Sequence, residues 1–331
     1  MGLLDIKPNV VSKDLRGYSV MFYGTPKSGK TTTASKFPGA VIFAFEKGYS
    51  AIPGAMATPI FSWNDFKKLL KELESDEAKK IYQTVVIDTA DIAYDYCSKY
   101  ICARESDATH DYNSLGDLPY GKGYKMAELE FDESIRRILQ LNYGLVLISH
   151  AQDKQFTATD GTQYDQIIPT LDTRARKICE RTCDIIGYSH TEFDANNDTV
   201  TWLELRGTPR YVAGSRFRYT PDRIKFSYQE LVDTIAAAID KEAKEGGQTT
   251  TAKNTIHQEP EVEYDFDGMM SEFQTIVGKL MADSQDNAKK ITAIVDKRAG
   301  KGKKVGEFTE ANAPALDLIL YDLRALVAKQ K

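Results

Sequence analysis

The octapeptide Gly24-Thr25-Pro26-Lys27-Ser28-Gly29-Lys30-Thr31 restricts the possible folds of this chain more than any other feature. It satisfies the spacing G-x-x-x-x-G-K-[ST], which is useful at one place in a fold, the turn from a buried strand into a helix. There the glycines let backbone N–H groups turn inward onto an anion, and the helix N-terminus adds the positive end of its dipole. Both flanks comply, since Val20-Met21-Phe22-Tyr23 is an apolar run and the helical stretch that follows stops at Phe37-Pro38-Gly39. At ordinary usage of Gly, Lys, Ser and Thr the pattern arises by chance in about one chain of this length in a hundred. Gly24, Thr25, Pro26, Lys27, Ser28, Gly29, Lys30, Thr31 and Thr32 are therefore the expected ATP-binding segment. In it Lys30 reaches the β/γ oxygens and Thr31 ligates magnesium.

From Tyr18 to about Tyr228 short apolar runs alternate with helical patterns, the arrangement of an α/β fold with a mostly parallel sheet. The expected strands are Ser19–Tyr23, Ala40–Phe45, Thr84–Ile87, Leu145–Ile148, Asp184–Ser189, Thr199–Leu205 and Arg223–Phe226. Near-continuous runs such as Val85-Val86-Ile87 suit strands covered on both faces. Ser62 with Asp65 forms a capping-box signal ahead of Phe66, Leu69, Leu70 and Leu73, a stripe at helical spacing.

After Asp240 the texture changes. Residues 241–267, with Gly246-Gly247, a threonine run and Glu259, Glu261 and Glu263, read as a flexible acidic linker. Residues 268–331 then carry three apolar stripes: Met269, Phe273, Ile276, Val277 and Leu280; Ile291, Ile294 and Val295; and Leu316, Ile319, Leu320, Leu323, Leu326 and Val327. These read as a small helical module for oligomerisation or partner binding, leaving residues 1–240 as the nucleotide-binding domain.

Composition sets the outer limits. With 42% hydrophobic and 27% charged residues the chain is neither disordered nor fibrous. Its 43 basic and 48 acidic side chains give a net charge of −5, so any nucleic-acid contact has to be local. No uncharged apolar run approaches the roughly 20 residues that span a bilayer, and the expected location is the cytoplasm. Cys97, Cys102, Cys179 and Cys183 lack the C-x2-C spacing of zinc sites, and packing is the better reading of them.

Three further strand ends carry chemistry. Thr84-Val85-Val86-Ile87-Asp88 is an apolar strand closing on a carboxylate that can hold magnesium, as a Walker B motif does. Ala40–Phe45, between the two motifs, ends in Glu46, and hydrolysis needs a base near the γ-phosphate. A fourth strand delivers Ser149-His150 to the same carboxyl edge, where open α/β sheets bind ligands.

Together the phosphate loop, Glu46, Asp88 and His150 resemble the AAA-type, RecA-like core of phage-encoded ATP-binding proteins, a family that includes single-strand annealing and recombination ATPases. Ile87-Asp88-Thr89-Ala90-Asp91-Ile92 and Arg206-Gly207-Thr208-Pro209-Arg210-Tyr211-Val212 look similar to it as well, and the resemblance covers about residues 17–240. It implies a RecA-like P-loop NTPase fold, ATP hydrolysis with Mg2+, a ring or filament of identical subunits, action on single-stranded DNA in recombination or replication, and residence in the host cytoplasm. It also implies catalytic roles for Lys30, Glu46 and His150: Glu46 polarises the attacking water and His150 senses the γ-phosphate.

Past His150, Gln155 to Tyr164 contains Asp160-Gly161, a hairpin-tip signal, with Phe156 and Tyr164 placed to stack bases and Lys154 to meet phosphate. Arg206, Arg210 and Arg216 are candidates for an arginine finger inserted into a neighbour's site. The tail would recruit a replication or single-strand-binding protein. The alternative is a nucleotide-switched interaction protein that binds ATP with little turnover and recruits a replication or packaging partner.

Overall fold

The structure, a computed structural model, describes residues 10–251, 265–284, 287–300 and 302–328. It divides into two compact units, Met1–His257 and Gln258–Lys331.

In chain order the first unit comprises β1 (Val11–Ser12), β2 (Ser19–Gly24), α1 (Lys30–Ala34), β3 (Ala40–Ala44), β4 (Ala57–Pro59), α2 (Trp63–Glu72), α3 (Asp76–Ile81), β5 (Thr84–Asp88), α4 (Ala90–Glu105), α5 (Lys122–Gln140), β6 (Gly144–Thr157), β7 (Gln163–Pro169), α6 (Thr173–Thr182), β8 (Ile185–Phe193), β9 (Thr199–Glu204), β10 (Gly214–Ser215), β11 (Arg223–Lys225), α7 (Tyr228–Ala243) and β12 (Thr249–Thr250). The main sheet runs β11-β9-β8-β2-β6-β5-β3-β4. From β8 to β4 every pairing is parallel, whereas β9, β10 and β11 extend the sheet antiparallel. The α/β class and the mostly parallel sheet are those expected, and all seven expected strands are present.

Alternation along β2 shows why this strand is apolar throughout. Met21 packs into one core with α2, α4, α5 and α6, while Val20 and Phe22 pack into a second core with α1 and α7. Fully burying a side chain such as Phe22, Trp63 or Phe131 contributes roughly 1.5–3 kcal/mol, so helices on both faces hold the central strands. Helix α2 begins as its sequence requires: the Ser62 hydroxyl accepts from Asp65 N at 3.2 Å, a cap worth about 1 kcal/mol. All four cysteines are free thiols buried in the first of these cores.

The first unit runs past the expected boundary at residue 240. Helix α7 continues to Ala243, and Thr249-Thr250 forms β12 in parallel register with Val11-Ser12. Val11 N donates to Gln248 O and Lys13 N to Thr250 O, both at 2.9 Å. The start of the expected linker thus belongs to the first unit, because β-branched threonines read as a loose run pair well as a strand edge. Residues 252–264 of that linker lie outside the described residues, and its last residues, Asp265 to Asp267, cap and begin the helix that follows.

The second unit contains α8 (Phe266–Asp283), α9 (Asn287–Ala299) and α10 (Ala313–Ala328), packed around Leu280, Ile291, Val295, Leu316, Ile319, Leu320 and Leu323. The three expected stripes are the inward faces of these helices. Asn287 Nδ2 donates to Leu280 O at 2.8 Å, tying the start of α9 to the end of α8.

Candidate nucleotide site

Sheet register assembles the site. Gly24 at the end of β2 stands opposite His150 on one side and Ser189 on the other, and Asp88 lies opposite Ile148 and Ala44. Strand β6 therefore separates the strand of the phosphate loop from that of Asp88, and brings His150 between them.

The phosphate loop follows β2 directly. Gly24 has no room for a side chain, since a Cβ there would stand 2.0 Å from Ser189 O. Lys27 (φ 65°) and Gly29 (φ 86°) turn the backbone into the first turn of α1. Lys30 is buried, and its ammonium donates to Gly24 O at 3.1 Å and Thr25 O at 2.7 Å. Burial pushes its pKa down, opposed by the charges of Asp88, Glu46 and Asp91. The ammonium is thus held by two carbonyl oxygens that phosphate oxygens can replace.

Thr31 Oγ1 donates to Asp88 Oδ2 at 2.8 Å. Burial pushes the Asp88 carboxyl up, and the Thr31 hydrogen bond pulls it back. Gly48 leaves open the space over this pair, because a Cβ there would come within 3.1 Å of Asp88 Oδ2 and 3.2 Å of Thr31 Oγ1. An all-oxygen pair in a partly covered setting suits a small hard cation, so the residues present fit magnesium. Asp88→Asn keeps the shape but removes the negative charge the pair presents to the ion. We expect hydrolysis in this variant to need a severalfold higher magnesium concentration, read from a magnesium titration; an unchanged titration curve would take Asp88 out of the site.

Glu46 is placed by its own backbone, as Phe45 N and Glu46 N both donate to Asp88 O, at 2.7 and 3.1 Å. Its Oε1 meets His150 Nε2 at 3.2 Å and Thr89 Oγ1 at 3.4 Å. Glu46 and His150, 104 residues apart, thus face each other about one third exposed. The Nδ1 atom of His150 is buried without a hydrogen-bond partner. Asp91 was not singled out from the sequence, although it lies three residues after Asp88. Its carboxylate accepts from Ser149 Oγ at 2.7 Å and His150 N at 3.2 Å, fixing β6 where it leaves the main sheet, and burial pushes its pKa up.

The remaining candidates lie elsewhere. Beyond His150, β6 leaves the main sheet and pairs with β7 as a hairpin, with Asp160-Gly161 at its tip as expected. Phe156 stands opposite Tyr164 with ring centroids 5.9 Å apart, and Lys154 Nζ lies 5.7 Å from the Phe156 ring. The arginine segment is less uniform than its sequence. Arg206 directs its guanidinium to four backbone carbonyls, Thr220 O at 3.2 Å, Ser215 O at 3.5 Å, Phe217 O at 2.9 Å and Arg218 O at 2.6 Å. Arg216 is held by Asp184 at 3.1 Å and Arg181 O at 2.9 Å. Both arginines pin the segment to its own unit, since a guanidinium offers five donors that a carbonyl-rich loop can satisfy. Arg210 is exposed and lines a surface cavity of about 710 Å³ with Thr208, Tyr211 and Tyr188.

A strand-loop-helix phosphate cradle, a lysine at its end, a threonine–aspartate pair and a glutamate on the adjoining strand define a P-loop nucleotide-binding domain. A family model described as an AAA domain matches residues 16–217, and the chain belongs to that family. It is also 29% identical to the SPbeta prophage-derived uncharacterized protein YorG of Bacillus subtilis (strain 168), over 97% of each chain. Among the described residues no helix is long and apolar enough to cross a membrane.

Proposed function

We propose that the protein is a magnesium-dependent ATPase of the RecA-like kind, phage-encoded, that acts on single-stranded DNA in recombination or replication. The observation that carries hydrolysis is the Glu46–His150 contact at 3.2 Å beside the Thr31–Asp88 pair. In that contact a carboxylate and an imidazole face each other beside the threonine–aspartate pair, which supports a role for Glu46 as the base. The likeness to a prophage-derived protein along nearly the whole chain supports the phage setting.

In this reading Lys30 binds the β/γ oxygens and stabilises the charge that builds on them during transfer. Thr31 and Asp88 would hold magnesium, which supplies further charge neutralisation. Glu46 orients the water and accepts its proton. His150, hydrogen-bonded to that base, makes the position of Glu46 depend on what lies at the end of β6. Of the three arginines, Arg210 is the exposed one, and in this reading it acts on a neighbouring subunit of an oligomer. The helical unit is the proposed site for a replication or single-strand-binding partner.

The hairpin supports the DNA reading. One face carries Lys154, Phe156 and Tyr164, while Asp153 and Asp165 alternate onto the other, giving a single face suited to bases and phosphates. Fluorescence anisotropy with a labelled oligonucleotide tests it. Binding should require a non-hydrolysable ATP analogue, prefer single strands to duplex, and weaken by roughly 1–3 kcal/mol in Phe156→Ala or Tyr164→Ala. Nucleotide binding with no oligonucleotide binding at low salt would favour a nucleotide-switched interaction protein instead.

A further inference from the structure

Tyr23 is the last residue before the phosphate loop, and it is completely buried. Its hydroxyl donates to Val212 O at 2.6 Å, accepts from Val212 N at 3.0 Å and lies 3.2 Å from Ile167 O. Ile167 belongs to β7 of the hairpin, and Val212 to the segment that carries Arg210. These two are stitched together in turn: Ile167 N donates to Arg210 O at 2.7 Å, and Val212 N lies 3.2 Å from Ile167 O. One phenol therefore joins the base of the hairpin and the base of the arginine segment to β2.

The other end of Tyr23 faces the loop. Its carbonyl accepts from Ser189 Oγ at 3.2 Å, and Ser189 Oγ is 2.8 Å from Ser28 Oγ of the phosphate loop. The next carbonyl, Gly24 O, accepts from Lys30 Nζ. A phosphate that takes the Lys30 ammonium removes a donor from the carbonyl of Gly24, the residue after Tyr23. A phosphate that engages Ser28 pulls on Ser189. Both disturbances reach Tyr23 through bonds of ordinary length in a fully packed setting, where small shifts are transmitted rather than absorbed.

Resting on the reading of this loop as a nucleotide site, we infer that Tyr23 is a positioning residue, the joint through which occupancy of the phosphate loop sets the order of the hairpin and of the Arg210 segment. It touches no reacting atom. Its effect runs through Ser28 and Ser189 on one side and through Ile167 and Val212 on the other. A single joint moves both segments together, so a neighbour-facing arginine and a ligand-facing hairpin answer to one event.

Hydrogen exchange read by mass spectrometry on the full chain tests this, with and without magnesium and a non-hydrolysable ATP analogue. In the parent protein, nucleotide should slow exchange across residues 24–34, and by about fivefold or more across 163–169 and 208–214, the lower end of typical coupling between sites. In Tyr23→Phe, and separately in Ser189→Ala, residues 24–34 should still slow while the two distant segments stop responding. A purely structural role would raise exchange in those segments but leave their response to nucleotide intact. An undiminished response in both variants overturns the joint. So does a parent protein that slows at 24–34 alone, whereas a parent with no slowing at 24–34 overturns the nucleotide reading itself.

Discussion

Replacing Lys30 by alanine is expected to abolish ATP hydrolysis and to weaken ATP binding by roughly a hundredfold or more, because on the proposed reading the ammonium would make at least two charge-assisted bonds to phosphate, each worth about 1.5–3 kcal/mol. The fold should survive. Lys30 is buried against the carbonyls of Gly24 and Thr25, and removing it takes away a desolvated charge together with its two bonds. Calorimetric titration with ATP, an assay of phosphate release and a thermal melt separate these effects. A variant that melts like the parent and hydrolyses ATP at the parent rate would show that the loop does not hold phosphates.

Glu46→Gln divides chemistry from binding. Glutamine keeps the length of the side chain and can still meet His150 Nε2, but it cannot take a proton from water. The turnover number should fall by roughly 10²–10⁴-fold, the usual consequence of losing a general base, while ATP affinity stays near that of the parent. The variant should therefore accumulate the ATP-bound protein, a useful state for the anisotropy and exchange measurements. Parent-like turnover would give the role to another group, and Asp91 is a poor substitute because both of its oxygens are engaged by Ser149 and His150.

The two substitutions also separate the two readings of the chain. A nucleotide switch with little turnover would lose ATP binding in Lys30→Ala and show almost no effect of Glu46→Gln. An ATPase responds to both.

How far the sequence could be read follows the range of the interactions concerned. The phosphate loop, the apolar strands and the Ser62 cap are legible because each depends on residues a few positions apart, where spacing and periodicity express the backbone geometry directly. Asp160-Gly161 as a hairpin tip belongs with them. The arginine segment shows the limit: Arg206, Arg210 and Arg216 look equivalent along the chain, yet two of them hold the loops of their own unit and one is exposed. That difference lies in carbonyls at Thr220, Phe217, Arg218 and Arg181, which no local pattern marks as acceptors. The threonine run at 249–251 failed for the same reason, since its strand character depends on Val11 and Ser12 far away in sequence.

By itself, then, the amino-acid sequence determined that a phosphate cradle follows a buried strand, that carboxylates close two further apolar strands, and that three amphipathic helices follow the first unit. These are short-range properties of composition and period. Strand order was decided only in three dimensions. It placed β6 between β2 and β5, and so put His150 against Glu46, Asp91 behind His150, and the Tyr23 hydroxyl between Ile167 and Val212. Each of these contacts joins residues tens to hundreds of positions apart. Their formation depends on which strands lie side by side and in what register, a choice made by the packing of the whole sheet between its two helical layers.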